Sequence, residues 1–447
     1  MKNFKGFNNN QVLHRWMNTD ITLKVQDQLS FEASQTAQRI QVVNQNPAFA
    51  RIANARSLLF LQGPVGHLFG KLANWLLNRG TKVHRVVFNG GDAWYARSLP
   101  KEKVFFFDMP MDSWPSTFCR LCSLHAVDVV VLFGQSRPCH APIIAIARKM
   151  GLDVVVVEEG YFRPGFATFE LGGVNGSSST LELFSWQSST NSISEVSADV
   201  CKLHFLKTCL HATLYYVMLF LRQSRFIHYR HHRDTFFITY AFYWLQSWKV
   251  KLQRRAKDHA LVNSLIRSGM EFFFVPLQYE DDTQVTQHST FSSNKSFINV
   301  VIRSFAKNAL PDQRLMFKQH PMSRGGVGLE KFIHDLALEL GIDKLVSCVW
   351  EGHNPSILDA CQGVVLINST VGLQALQRGK AVKVLGTSLY DLPNVTSQQT
   401  LDEFWRKPHK PDLEISGRFL QQLKHLTQVP CSIYSNAYEA WSFLKTQ

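Results

Sequence analysis

The chain has 447 residues, 45% of them apolar and 18% charged, and 48 basic against 34 acidic side chains give it a formal charge of +14. This apolar content excludes a disordered chain, and ordinary counts of 25 glycines and 16 prolines exclude a collagen-like or low-complexity polymer. The basic excess calls for an anionic partner (nucleic acid, an anionic membrane face or phosphorylated substrates) without choosing among them.

At about 150 residues per domain, the length predicts two or three domains. The opening MKNFKGFNNNQVLHRW is polar and lacks the apolar core of a secretory signal. The longest apolar run, Leu210 to Leu221, is shorter than a spanning helix and is followed by Arg222, Arg225 and Arg230. A soluble, cytoplasmic, basic α/β protein able to touch a membrane is therefore expected. The eight cysteines are scattered except for Cys119 and Cys122. With no second CxxC or CxxH partner, reduced thiols and no metal site are expected.

Residues 1–55 are rich in Asn, Gln and Ser and read as an N-terminal extension, helical near Ser30 to Val43. Ser57 to Leu61 then reads as a buried strand, and Gly63, Pro64 and Gly66 as a turn. Leu68, Phe69, Leu72, Trp75 and Leu76 recur at helical spacing, Gly80 stops that helix, and Val83 to Phe88 is the next strand. This βαβ unit predicts a parallel sheet with a right-handed crossover. Lys103 to Phe107 and Val127 to Phe133 extend the pattern, followed by a helix over Ala141 to Met150 and a strand over Leu152 to Val157 that ends at Glu158 and Glu159. Residues 171–200 read as loop, and 200–265 as long, aromatic, basic helix. A second α/β half is predicted from strands at Glu271 to Leu277, Arg314 to Lys318, Val364 to Ile367 and Ala381 to Leu385, with helices at Leu329 to Leu340 and after Asn368. Helical stretches at Leu413 to Leu426 and Ser435 to Thr446 close the chain. The predicted organisation is an extension (1–55), an N-terminal acceptor-side α/β domain with a basic aromatic helical segment (56–265), a C-terminal nucleotide-sugar-binding α/β domain (266–410) and a helical tail (411–447). Two doubly wound, Rossmann-like domains with a cleft between them define a GT-B-like α/β fold.

Six residue sets carry candidate chemistry. Glu158-Glu159-Gly160 stand at the carboxyl end of a buried strand, where open α/β sheets bind ligands. Such a carboxylate suits a base or a nucleophile on a sugar carbon; the plain alternative is a solvated strand end that pairs with Arg163, and Glu170 also follows. Lys318-Gln319-His320-Pro321 end another strand, with Arg324 nearby, and His320 can donate to a phosphate or leaving oxygen. Asn368, Ser369 and Thr370 open a helix and suit a phosphate or an ordinary N-cap. Gln278 and the acidic stretch after it can read a base or sugar, or can be a polar linker. Gly63, Gly66, Asn89 and Asp92 belong to glycine turns after first-half strands; they resemble ligand-facing loops but match neither GxGxxG nor Walker A. The stretch Phe226 to Arg233 interleaves basic and aromatic residues, which suits an anionic lipid surface, RNA or a helix with a packed aromatic face.

FLQGPVGHLFGKLANWL, VVFNGGD, EEGYFRPGFATFE, HYRHHR, PLQ, FKQHPMSRG and NSTVGLQALQRGKAVKVLG occur in this order, and together they resemble the capsule polysaccharide synthesis proteins of the KpsS/LipB type over roughly residues 57–406. The resemblance implies a retaining β-Kdo glycosyltransferase that moves the first Kdo from CMP-Kdo to lysophosphatidylglycerol at the cytoplasmic membrane face, starting the poly-Kdo linker of a capsule. It implies no cofactor beyond the donor, no nucleic acid, and other capsule biosynthesis and export proteins as partners. Carried over by motif, Glu159 is the favoured catalytic carboxylate with Glu158 beside it, His320 and Pro321 contact the CMP phosphate or cytidine, and Ser369 and Thr370 form the phosphate-side turn. A related CMP- or UDP-sugar transferase and a non-catalytic assembly or export partner are the alternatives.

Overall fold

The structure, a computed structural model, describes residues 46–184, 200–231, 237–278, 289, 291–320 and 328–434. The expected helix near Ser30 to Val43, most of the acidic stretch after Gln278, Pro321, Arg324 and the closing helix Ser435 to Thr446 lie outside the described residues.

The first lobe opens with α1 (Pro47–Ala53), whose N-cap Asn46 accepts from the Phe49 N–H. Then come β1 (Ser57–Phe60), α2 (Leu68–Leu77), β2 (Lys82–Val87), α3 (Gly90–Tyr95), β3 (Val104–Phe106), α4 (Trp114–Leu124), β4 (Val129–Phe133), α5 (Ala141–Lys149), β5 (Asp153–Glu159) and β6 (Phe166–Leu171). Two long helices follow, α6 (Val200–Leu221) and α7 (Phe237–Arg267). The second lobe holds β7 (Phe272–Pro276), α8 (Asn294–Asn308), β8 (Arg314–Lys318), α9 (Leu329–Glu339), β9 (Val346–Val349), α10 (Asn354–Ala360), β10 (Gly363–Leu366), α11 (Val371–Leu376), β11 (Ala381–Val384) and α12 (Leu401–Arg406). Finally α13 (Leu413–Thr427) leads into β12 (Gln428–Pro430).

The first sheet runs β12-β6-β5-β4-β1-β2-β3 and the second β11-β10-β7-β8-β9. Strands β1 to β5 pair in parallel, as do all pairs of the second sheet. In each lobe the first strand lies beside a later one: β1 beside β4, and β7 beside β10. There the winding reverses, and crevices outside the carboxyl ends of such strands are where ligands bind in open sheets.

The valine run of β5 is apolar throughout because both its faces are covered. Val155 and Val157 pack with Phe49, Leu72 and Leu76, whereas Val154 and Val156 pack with Trp114, Phe118 and Ile143. Likewise Phe272 and Phe274 face one second-lobe cluster and Phe273 and Val275 the other. The lobes are joined through Tyr161, Phe162 and Phe166, which share a core cluster with Leu366, Leu373, Tyr390 and Phe419.

Several sequence expectations change. Residues 46–55 do not belong to an extension: Ala48, Phe49, Ile52 and Ala55 are in the first-lobe core. The stretch FATFE after Gly165 is strand β6, antiparallel to β5. The tail is more than helical, because β12 joins the first sheet against β6. In the basic aromatic stretch, Phe226 and Tyr229 pack against the first lobe, but from turns and irregular backbone after Leu221 and not from the expected helix; His232 and Arg233 lie outside the described residues.

Candidate functional site

A small cleft between the lobes is lined by Tyr161 and Asn175 from the first and by Asn368, Thr370, Leu373 and Tyr390 from the second. Strand alternation decides which glutamate turns toward the loop that lines it. Glu158 pairs across β6 with Thr168 and Glu159 with Ala167, and successive side chains point to opposite faces. Glu158 Oε2 accepts from Asn175 Nδ2 at 3.1 Å, and its Oε1 accepts from the Gln135 N–H at 3.4 Å. Glu159 turns to the other face, where it accepts from the Tyr434 hydroxyl at 2.6 Å and pairs with Arg163. Glu158, not the favoured Glu159, is thus held behind Asn175, which lines the cleft; Glu158 itself does not line it. Arg163 stays with Glu159 and with the Gly160 carbonyl, so it serves the opposite face. A side chain at Gly160 would come within 2.4 Å of the Phe166 carbonyl, so glycine there permits the β5–β6 turn.

The loop that carries Asn175 is fixed by a buried carboxylate. Glu170 accepts from the Tyr161 hydroxyl at 2.6 Å, from Thr180 Oγ1 at 2.5 Å and from Ser178 Oγ. The Tyr161 oxygen in turn accepts from the Asn175 N–H at 2.7 Å. Burial raises the Glu170 pKa, opposed by these three hydroxyl donors, and burial also carries the Tyr161 hydroxyl well above its ordinary value. Glu170 therefore positions Tyr161 and Asn175, and through Asn175 the Glu158 carboxylate.

On the second lobe, Thr370 precedes the six-residue α11, makes no capping bond and lines the cleft. The Ser369 carbonyl accepts from the buried Tyr390 hydroxyl, and Ser369 Oγ accepts from the Val371 N–H. Gln278 is buried, donates to Asn368 Oδ1 at 3.0 Å, and bridges the ends of β7 and β10. Lys318 is held by the Gly352 carbonyl and Asn354. His320 follows β8, two strands away from β10, and is half-buried. It does not line the small cleft beside Thr370.

The glycine turns of the first lobe serve packing. A Cβ at Gly91 would meet the Tyr215 ring at 2.6 Å, and one at Gly90 would meet the Met218 carbonyl at 2.1 Å, so these glycines let α6 lie directly on α3. Asn89 caps α3 and donates to the Tyr215 hydroxyl at 3.0 Å. Asp92 accepts from Arg85 at 2.5 Å and from the Gly63 N–H at 3.3 Å. Asn89 and Asp92 are each only 1% exposed, so they form the wall and do not offer themselves to a substrate. Gly66, with φ +119°, lies against the Ile433 carbonyl. Sequence reasoning missed Asn175, Tyr161, Arg137 and Tyr390; the αL-prone Asn175 (φ 54°), next to a glycine in a small-residue loop, was the available signal for the first.

A family described as capsule polysaccharide biosynthesis protein matches residues 128–434. The chain is 31% identical over 391 residues to the capsule polysaccharide export protein KpsS of Escherichia coli, an alignment spanning 87% of this chain and 100% of that protein. It is 33% identical over 412 residues to the capsule polysaccharide modification protein LipB of Neisseria meningitidis serogroup B, spanning 89% of this chain and 96% of that one. Among solved structures, the KpsC beta Kdo 2,7 transferase of Thermosulfurimonas dismutans is similar at 13% identity and a TM-score of 0.36, over 81% of this chain and 89% of that one. A likeness that distant carries no argument about activity.

Proposed function

The chain belongs to the capsule polysaccharide biosynthesis protein family, and from that premise we propose that it is a retaining β-Kdo glycosyltransferase that moves Kdo from CMP-Kdo to lysophosphatidylglycerol, the first step of a capsule's poly-Kdo linker. One observation supports the reading: Glu158 is held by Asn175, and Asn175 lines a cleft whose other wall includes Asn368 and Thr370. In the proposed reaction a Glu158 oxygen attacks the anomeric carbon, the bond from that carbon to the phosphate oxygen breaks, and CMP leaves with the electron pair. An acceptor hydroxyl then attacks the same carbon, the glycosyl ester breaks, the carboxylate is restored and the hydroxyl proton is lost to base. Two inversions give net retention. Negative charge builds on the departing phosphate, and Thr370 and Ser369 are assigned to that charge; His320, two strands away, is not placed on the same oxygens.

A lipid acceptor fits the outer face of α6. Its inner face, His211, Tyr215 and Met218, meets the first lobe, as does Arg222 just beyond it. Leu206, Leu210 and Leu221 on other faces are 64–75% exposed, beside the exposed Lys207, Arg225 and Arg230. An apolar stripe flanked by cations suits the inner surface of an anionic membrane. Among the described residues no helix is long and apolar enough to cross one.

The test incubates purified protein with CMP-Kdo, generated in place because the donor is labile, and a fluorescent lysophosphatidylglycerol. Mass spectrometry should find one added Kdo. Transfer from another CMP- or UDP-sugar in preference would mark a related transferase. The absence of turnover with every donor would favour the non-catalytic export or assembly partner that the name of the Escherichia coli relative suggests.

A further inference from the structure

The switch points of the two lobes are closed differently. In the second lobe the ends of β7 and β10 are bridged by two neutral amides, Gln278 and Asn368. In the first lobe the bridge between the ends of β4 and β1 is a cation. Arg137 follows β4 and donates from Nη1 to the Gly63 carbonyl, just beyond β1, at 2.9 Å. Its side chain folds back over Gly134, whose φ of +79° and missing Cβ let the arginine's Nε and Cγ come close. The guanidinium carbon lies 5.1 Å from the centre of the Phe133 ring. The backbone of Arg137 is fixed as well, because its carbonyl accepts from the His140 and Ala141 N–H groups that begin α5.

Arg137 is half-buried and has no carboxylate partner among the described residues. Nearby arginines do: Arg85 pairs with Asp92, Arg163 with Glu159 and Arg225 with Asp108. A partly desolvated charge is costly without a counter-charge, and one carbonyl occupies only one of the five guanidinium donors. Glu158, on the adjacent strand β5, accepts from the N–H of Gln135, two residues before Arg137. A positive and a negative group thus stand just beyond the ends of neighbouring strands.

We propose that Arg137 is the oxyanion-binding group of the first lobe and takes a phosphate carried by a substrate. Resting on the proposed function, this phosphate is the acceptor's phosphodiester, since the nucleotide half of the donor is assigned to the second lobe. A planar fork suits bidentate capture of phosphate oxygens, and binding there would bring an acceptor hydroxyl toward the side where Glu158 stands.

The test reads binding without turnover, so its result stands whether or not the chain transfers Kdo. Affinities of the full chain for sn-glycerol 3-phosphate and for CMP are measured by calorimetry in wild type, Arg137→Gln and Arg137→Lys. A tenfold or greater loss confined to glycerol phosphate in the glutamine variant supports the proposal and assigns the arginine to the acceptor. The same loss confined to CMP supports an oxyanion site but assigns it to the donor. Unchanged affinity for both, or wild type that binds neither, overturns it. If the glutamine variant does not fold, the lysine variant keeps the charge but not the fork, and a loss of roughly three- to tenfold is expected.

Discussion

The buried pair Arg85–Asp92 separates a wall residue from a substrate residue. Both side chains are 1% exposed, Asp92 Oδ1 takes Arg85 Nη2 at 2.5 Å and the Gly63 N–H at 3.3 Å, and Arg85 Nη1 donates to the Tyr95 carbonyl at 3.2 Å. Asp92→Asn keeps the shape but leaves the guanidinium without its counter-charge. Breaking a buried pair in this way costs about 3–5 kcal/mol. At roughly 2–4 °C per kcal/mol for a domain of this size, the melting temperature should fall by about 6–20 °C. Among the described residues, Arg85 Nε and Asp92 Oδ2 have no hydrogen-bond partner, so replacing both partners removes two poorly satisfied polar atoms along with the pair. Arg85→Met with Asp92→Leu should therefore lie within about 2 kcal/mol of wild type. Thermal and urea denaturation of these variants, with Arg85→Met alone and Asp92→Leu alone to complete the cycle, measure the coupling. If Asp92→Asn melted at the wild-type temperature yet lost activity, Asp92 would be acting on a substrate, and its assignment to the wall would be wrong.

Gly372→Ala would set a Cβ 2.5 Å from the Tyr390 hydroxyl and 2.7 Å from its ring, which is buried and bonded to the Ser369 carbonyl; a loss of about 1–3 kcal/mol is expected from overpacking, and an unchanged denaturation midpoint would contradict the close packing. His140 is fully buried with Nδ1 on the Gly134 carbonyl at 2.8 Å, and burial, aided by the Arg137 charge, pushes its pKa down to about 3. The unfolded chain, with an ordinary value near 6.5, binds the extra proton between those limits, so this contribution to stability is complete above about pH 6.5 and is lost at up to about 1.4 kcal/mol per pH unit as the solution is acidified. Comparing urea midpoints at pH 7 and pH 5 should show a shallower acid loss in His140→Asn; equal losses would count against the buried neutral ring.

Most parallel strands and the two-lobe plan were legible because valine runs and helical spacings are local signals; β6, β9 and β12 were not. The orientation of Glu158 and Glu159 was not. It depends on where β5 stops, and β5 extends through both glutamates because β6 pairs with them. β6 is itself covered by β12, whose pairing joins residues about 260 positions apart in the chain. Asn89-Gly90-Gly91-Asp92 has the composition of a ligand loop, and only the approach of α6 distinguishes packing from binding. Arg137 gained significance only from the adjacency of β1 and β4, a topological fact that no short motif carries.

The central claim is that the reacting carboxylate is Glu158, positioned by Asn175, while Glu159 belongs to the other face with Arg163 and Tyr434. The most direct measurement is the rate of Kdo transfer at saturating CMP-Kdo by Glu158→Gln and Glu159→Gln proteins of matched melting temperature. A fall of at least about a thousandfold is expected for Glu158→Gln, as when a nucleophile is removed, and a rate within roughly tenfold of wild type for Glu159→Gln. Near-wild-type transfer by Glu158→Gln, with collapse in Glu159→Gln, would contradict the claim.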